Sequence, residues 1–175
     1  MILYLDTNIL LARYSPREPG YTDSKKILDA VERGDAEAVT SIITLVEVTS
    51  SVSRSYNRLR KDPALKREEV AGAFLKRIVS IKNLSFIPLG GEISLNIEER
   101  TIEIPALLAV ALELAPKTGV KTLDNLHIAS AVVATRIYGQ KMDYFVTLDE
   151  DLLRHGEEIA SELGATVAPP SGVSL

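Results

Sequence analysis

The chain opens on Ile2-Leu3-Tyr4-Leu5, an unbroken apolar run that stops at the carboxylate of Asp6. A half-exposed strand would alternate apolar and polar residues, whereas a continuous run suits the central strand of a parallel sheet covered on both faces. In such sheets ligands bind just beyond the carboxyl ends of the strands, which is where Asp6 stands. Asp6 or Thr7 is equally suited to cap the short helix begun by Asn8-Ile-Leu-Leu. On this stretch alone both readings stay open.

The remaining chain alternates strands and helices. Residues 22–34 read as an amphipathic helix with Ile27, Leu28 and Val31 on one face and Gly34 as its stop signal, followed by a short strand at 37–40. Residues 41–58 are taken as one long helix on length and polar spacing, although Ile42, Ile43, Thr44, Val46 and Val48 also suit a strand. A helix at 66–81 follows the Asp62-Pro63 turn. Residues 85–89 form an edge strand, because Pro88 has no N–H to give to a ladder. Two helices at 92–102 and 106–114 are expected on either side of Pro105. A helix at 123–138 closes at Gly139, and a strand at 144–147, a helix at 150–163 and a strand at 165–168 complete an α/β chain whose parallel sheet carries helices on both faces.

With 175 residues, 46% of them hydrophobic, residues 1–175 are expected to bury one core as a single domain. No basic-apolar-small signal pattern starts the chain, and its longest apolar run, 104–112, is too short to span a bilayer; the expectation is a cytoplasmic protein with no membrane partner. The absence of cysteine excludes disulfides and thiolate zinc sites, and two histidines, His127 and His155, leave little for imidazole ligation. A bound metal is therefore expected on oxygen ligands.

Four acids occupy places that one sheet can bring together. Asp6 and Asp149 each follow an apolar strand, Asp124 starts the 123–138 helix, and Glu47 lies among Leu45, Val46 and Val48. Asp143 is set aside, because it lies at the opposite end of its strand, roughly 13 Å from Thr147 at about 3.3 Å per residue. Asp151 is a less favoured substitute for Asp149. Asp124 and Asp149 also sit where acids cap helices, and Glu47 also suits a solvated helix position. Gathered together, the four would repel strongly: two like charges at ~4 Å cost about 4 kcal/mol at an effective dielectric near 20. Mg²⁺ or Mn²⁺ resolves that repulsion and prefers carboxylate and water oxygens. The implied chemistry is phosphodiester hydrolysis, one ion lowering the pKa of an attacking water; whether a second, about 3.5–4 Å away, steadies the leaving oxygen stays open.

A net charge of −4 conceals an asymmetry: residues 54–82 carry nine basic residues against Asp62, Glu68 and Glu69, leaving +6 there and −10 elsewhere. On a continuous helix Arg54 and Arg58 fall on nearly the same stripe as Glu47, with Arg58 about 16 Å further along the axis. They are expected to form a basic rail for the phosphates of a bound strand. Lys66, Arg67, Lys76 and Arg77 suit a solvated charged face equally well and are not assigned.

The ordered set Leu5-Asp6-Thr7-Asn8-Ile9-Leu10, Ser41-Ile-Ile-Thr-Leu-Val-Glu47-Val, Leu123-Asp124-Asn-Leu-His-Ile-Ala-Ser-Ala131 and Phe145-Val-Thr147-Leu-Asp149 resembles the PIN domain family, and within it the toxin nucleases of VapBC-type toxin–antitoxin pairs. The resemblance implies a three-layer α/β/α sandwich with a central parallel sheet and a Mg²⁺- or Mn²⁺-dependent endoribonuclease acting on RNA. It further implies a homodimer and a small antitoxin that occludes the site. It carries the catalytic and metal-binding acids onto Asp6, Glu47, Asp124 and Asp149, a supporting hydroxyl onto Thr147, and polar positions onto Asn8 and Ser41. The chain is longer than compact toxins of this kind, with extra material at 54–82 and 92–114. An RNA-processing nuclease of the same fold without an antitoxin, and a non-catalytic RNA-binding or scaffold module, are the alternatives. A phosphotransfer protein with a strand-end Asp nucleophile usually has a second Asp where Asn8 stands, and it leaves Glu47 unexplained. The apolar stretch 106–112 reads as core helix or as a dimer or antitoxin surface.

Overall fold

The computed structural model describes residues 1–60 and 62–175; Lys61, one of the basic residues of the 54–82 segment, lies outside the described residues. In chain order the elements are β1 (Ile2–Leu5), α1 (Thr7–Ala12), α2 (Tyr21–Arg33), β2 (Glu37–Ser41), α3 (Ile43–Arg54), α4 (Tyr56–Leu59), α5 (Arg67–Val79) and β3 (Leu84–Ile87). Then come β4 (Glu92–Ile97), β5 (Arg100–Pro105), α6 (Ala106–Thr118), α7 (Thr122–Arg136), β6 (Tyr144–Val146), α8 (Glu150–Arg154), α9 (Gly156–Leu163) and β7 (Thr166–Ala168).

Five strands form a parallel sheet in the order β3-β2-β1-β6-β7, with β1 at its centre. Strand β1 pairs with β2 through Ile2↔Glu37 to Tyr4↔Val39 and with β6 through Leu3↔Tyr144 to Leu5↔Val146. Its side chains alternate between two cores, which explains why the run contains no exposed polar position. Tyr4 enters a core with Phe145 and buried residues of α6, α7, α8 and α9. Leu3 and Leu5 enter the opposite core with residues of α1, α2, α3 and α5. Helices therefore cover both faces of the sheet, giving an α/β/α sandwich in which β1 is sealed on each side. Tyr4 and Phe145 stack at 4.7 Å between centroids with planes 7° apart, locking the two central strands together.

Three elements depart from the sequence expectation. Residues 92–105 form not a helix but an antiparallel hairpin, because Ile93, Leu95, Ile97, Ile102 and Ile104 recur at a period of two. The tight turn between its strands is closed by Glu98 at φ 53°. The long helix expected over 41–58 is shorter and broken: β2 runs through Ser41, α3 starts at Ile43, and Ser55 separates α3 from α4. The 150–163 helix is likewise divided at His155. Strand β3 does lie at a sheet edge, with Pro88 just past its end.

Phe145 is completely buried at the centre of the sheet. Phe145→Ala is expected to lower unfolding stability by about 3–5 kcal/mol in urea titrations, the cost of removing a packed aromatic ring and leaving a cavity.

Candidate active site

The carboxyl ends of β1 and β6 lie side by side, so the residues that follow them meet. Asp6 caps α1 by accepting the Thr7 N–H at 2.6 Å on Oδ1, while its Oδ2 accepts from Asn8 Nδ2 at 2.6 Å and Thr147 Oγ1 at 2.7 Å. Cap and site are thus one arrangement rather than alternatives. Asn8 bridges further, reaching Thr147 Oγ1 at 3.1 Å and accepting the Leu148 N–H at 3.0 Å. Asp149 receives N–H groups of Asp151 and Leu152 on Oδ1, capping α8, as its spacing in the sequence suggested. Asp143 accepts the Ile2 N–H at 2.7 Å at the far end of these strands, away from this cluster.

Helix α3 brings Glu47 to the same place from the other side of β1. Its Oε2 accepts from Thr7 Oγ1 and from His127 Nε2, the latter at 2.5 Å. Beneath it, Thr40 donates to the Leu5 carbonyl at 2.7 Å and lies 2.8 Å from Thr44, joining α3 to β1 through hydroxyls. Ser41 contributes here only locally: its Oγ accepts the Ile43 N–H at the entry to α3. Asp124 sits in the first turn of α7, and His127 follows one turn later on the same face.

His127 is the participant that sequence reasoning missed. Counting two histidines argued against an imidazole role, yet Asp6, Glu47 and His127 each place a ligand-capable atom within 4.8 Å of the others. The available signal was the three-residue spacing from Asp124, which puts both side chains on one helical face. His127 is buried, with Nδ1 2.8 Å from the Tyr4 hydroxyl.

The charges of the four acids are felt across the cluster. Burial pushes the Asp6 carboxyl above its ordinary range; His127 and Thr147 pull it back, and Glu47 adds to the rise. Burial also raises Asp124, with the charges of Asp149 and Asp6 adding to it. Burial opposes ionisation of Glu47 as well, but His127, Thr7 and Arg54 outweigh it and hold Glu47 below its usual range. For His127, burial favours the neutral ring, yet the Glu47 hydrogen bond and the charges of Asp6, Glu47 and Asp124 prevail and raise its pKa.

The basic rail is only partly assembled. Arg54 is held by Ser50 and Ser51 near enough to act on Glu47 electrostatically. The break at Ser55 ends the shared stripe, and Arg58 pairs with Glu18 at 2.9 Å. A groove of about 420 Å³ starts at Asn8 and Leu148 and runs past Ser51, Phe74 and Arg58. Its walls are both polar and apolar.

The directions of these shifts fix a pH dependence for the metal-free protein. Asp6, Asp124 and His127 have raised folded pKa values, so their contributions to stability are present at low pH and lost as pH rises through those values. Glu47 works in the opposite sense and loses its contribution only as pH falls below the ordinary carboxylate range. In EDTA the melting temperature should therefore fall as pH rises above the ordinary histidine value of 6.5, and Asp6→Asn, which removes one of the charges that raise His127, should lessen that fall. A melting temperature that rises over this pH range contradicts the assignment.

Residues 3–158 match the model of the family described as PIN domain. No curated protein matches the chain in sequence. Among solved structures, a chain of the crystal structure of VapBC2 from Rickettsia felis bound to a DNA fragment from their promoter is similar. Its TM-score is 0.56 at 17% identity, over 97% of this chain and 98% of that one, a likeness of fold. With the family model covering almost the whole sandwich and the strand-end cluster of β1 and β6 inside it, this chain belongs to the PIN domain family.

Proposed function

We propose that the chain is a Mg²⁺- or Mn²⁺-dependent endoribonuclease that hydrolyses RNA phosphodiester bonds, in a toxin role like that of VapC, with Asp6, Glu47, Asp124 and Asp149 holding the cation. The observation that carries this reading is the buried Asp6 carboxylate just past β1 with Glu47 of α3 beside it, and the half-buried Asp124 at the start of α7, which feels the charges of Asp149 and Asp6. A divalent cation removes that penalty, and the oxygen-only acid set fits hard ions of this kind. When bound, the ion supplies Lewis acidity, lowering the pKa of a water and neutralising charge on the phosphate.

The chain's own residues then perform identifiable tasks. Thr147 and Asn8 fix the Asp6 carboxylate by occupying Oδ2, and the Thr7 N–H occupies Oδ1. Thr7 and His127 occupy Glu47 Oε2, leaving Oε1 for a cation or a water. Asp124 and Asp149 lie outside the close group of Asp6, Glu47 and His127 and would complete the acidic rim around the cation. Arg54, close enough to act on Glu47, offers the first phosphate contact outside it. Among the described residues no helix is long and apolar enough to cross a membrane. The toxin role brings with it a small antitoxin partner. An RNA-processing nuclease without an antitoxin would keep the same chemistry, and a short reading frame beside the gene separates the two.

Asp6→Asn and Asp124→Asn should each lower Mg²⁺- or Mn²⁺-dependent cleavage of single-stranded and structured RNA by more than about 100-fold, beyond the 10–100-fold typical of outer-shell changes. They should also abolish the rise in melting temperature on adding Mn²⁺. Cleavage persisting in both variants refutes the site, and wild-type chain that cuts no RNA favours a binding module. In the Asp124→Asn background, Arg54→Ala should weaken RNA binding and reduce the slope of log K against log salt by about 0.7. Arg58→Ala, whose partner is Glu18, should change that slope less.

A further inference from the structure

The groove that begins at Asn8 and Leu148 holds a charged pair that the acid cluster does not use. Arg58 Nη1 donates to Glu18 Oε1 at 2.9 Å, and both side chains line the groove. Beside them lies an apolar surface of Leu11, Leu59 and Phe74, partly buried residues packed on the core of Leu3 and Leu5. The Phe74 ring meets Tyr14 edge-on at 5.9 Å and lies 5.8 Å from the Arg77 guanidinium, contacts that hold its orientation. At about 420 Å³ the groove sits at the lower end of small-ligand pockets, roughly 300–1,000 Å³, with room for one nucleotide and not for a duplex.

The break at Ser55 creates this arrangement. A continuous helix would carry Arg58 along the Glu47 stripe, whereas with α4 set off from α3 it reaches Glu18, on the loop that joins α1 to α2. That loop closes on the site: Gly20 has φ 78°, and a Cβ there would lie 2.5 Å from Leu148 Cδ2. Leu148 stands between Thr147 and Asp149, and its N–H is bonded to Asn8, which in turn holds Asp6. Groove and acid cluster therefore share Asn8 and Leu148. The charged pair itself is joined by one hydrogen bond, so among the described residues Glu18 Oε2 and Arg58 Nε and Nη2 remain without a partner. With its side chains 68% and 44% exposed, such a pair is worth little and opens at little cost.

We infer that the groove is a base-specific subsite that takes one guanine of a single-stranded RNA next to the acid cluster. A phosphate is the wrong occupant, because Glu18 neutralises Arg58 and repels an anion beside it. A base suits the pair, since it carries donors and acceptors without charge. Guanine offers two adjacent acceptors, O6 and N7, to an arginine and two adjacent donors, N1–H and the N2 amino group, to a carboxylate. Adenine, cytosine and uracil each present a carboxylate with one donor group only. The face of the ring is met by the Phe74 side of the groove, aromatic contact being the common device for unpaired bases. The inference rests on the nuclease reading for its RNA strand, and binding and cleavage test the two separately.

The test measures fluorescence anisotropy in EDTA with short oligouridines carrying one central guanosine, adenosine, cytidine, inosine or 7-deazaguanosine. The guanosine strand should bind about tenfold or more tightly than the adenosine, cytidine and all-uridine strands. Inosine, which lacks the N2 amino group, should lose affinity for the wild-type chain but not for Glu18→Gln. In the same way 7-deazaguanosine, which lacks N7, should lose affinity for the wild-type chain but not for Arg58→Met. Equal affinity for all strands, which leaves the groove to a peptide, overturns the assignment, as do inosine and 7-deazaguanosine losses that persist in the two variants. With Mn²⁺ present, cleavage of a random-sequence RNA should fall beside guanines. Guanine preference without cleavage upholds the subsite and refutes the nuclease reading, whereas cleavage without guanine bias refutes the subsite and leaves the nuclease reading standing.

Discussion

Everything at the site depends on placing one carboxylate, that of Asp6, out of water at the end of the central strand. Burying a charge is costly unless donors replace its hydration. Here three do: the Thr7 N–H, the Asn8 amide and the Thr147 hydroxyl. Because Thr147 follows β6 and Asn8 also takes the Leu148 N–H, the bonds that satisfy Asp6 also join the loops after two neighbouring strands. The register of β1 on β6 thus becomes the register of the site. A position fixed by the sheet needs no further loop packing to be held, and Glu47 and Asp124 have only to be delivered to it by α3 and α7.

Much of this was legible in the sequence because burial leaves a simple mark. The run Ile2 to Leu5 lacks polar residues because alternate side chains enter different cores, and an acid directly after such a strand is placed at the sheet's carboxyl edge. Asp149 could be found by the same logic. The hairpin was obscured because Glu92-Ile-Ser-Leu-Asn-Ile carries its period of two over only six residues, and Pro105 behind it resembles a helix boundary. Ser55 breaks its helix without a Gly or Pro to announce it, whereas the break at His155 is marked only by the single Gly156 beside it, and the break at Ser55 is what separates Arg58 from the Glu47 stripe. His127 was hidden for another reason. A histidine count says nothing about whether one ring lies against a carboxylate, and that contact joins residues 80 positions apart.

The chemistry of that ring follows from its two neighbours. An ionised carboxylate only accepts hydrogen bonds, and Glu47 is held below its usual pKa, so the proton between them resides on His127 Nε2. Nδ1 then either accepts the Tyr4 hydroxyl proton or, in the imidazolium, donates to its oxygen. In both states Nε2 carries hydrogen and has no lone pair to offer. His127 therefore acts through Glu47 rather than as a ligand in this arrangement, holding one carboxylate oxygen and leaving the other for the cation. Tyr4 connects this to the fold, since the residue that orients the ring also stacks on Phe145 between the two strands that carry Asp6 and Thr147. The core that stabilises the sheet and the hydrogen bonds that set the site consequently meet in a single side chain, so a packing change at Tyr4 reaches Glu47 through His127 without touching an acid.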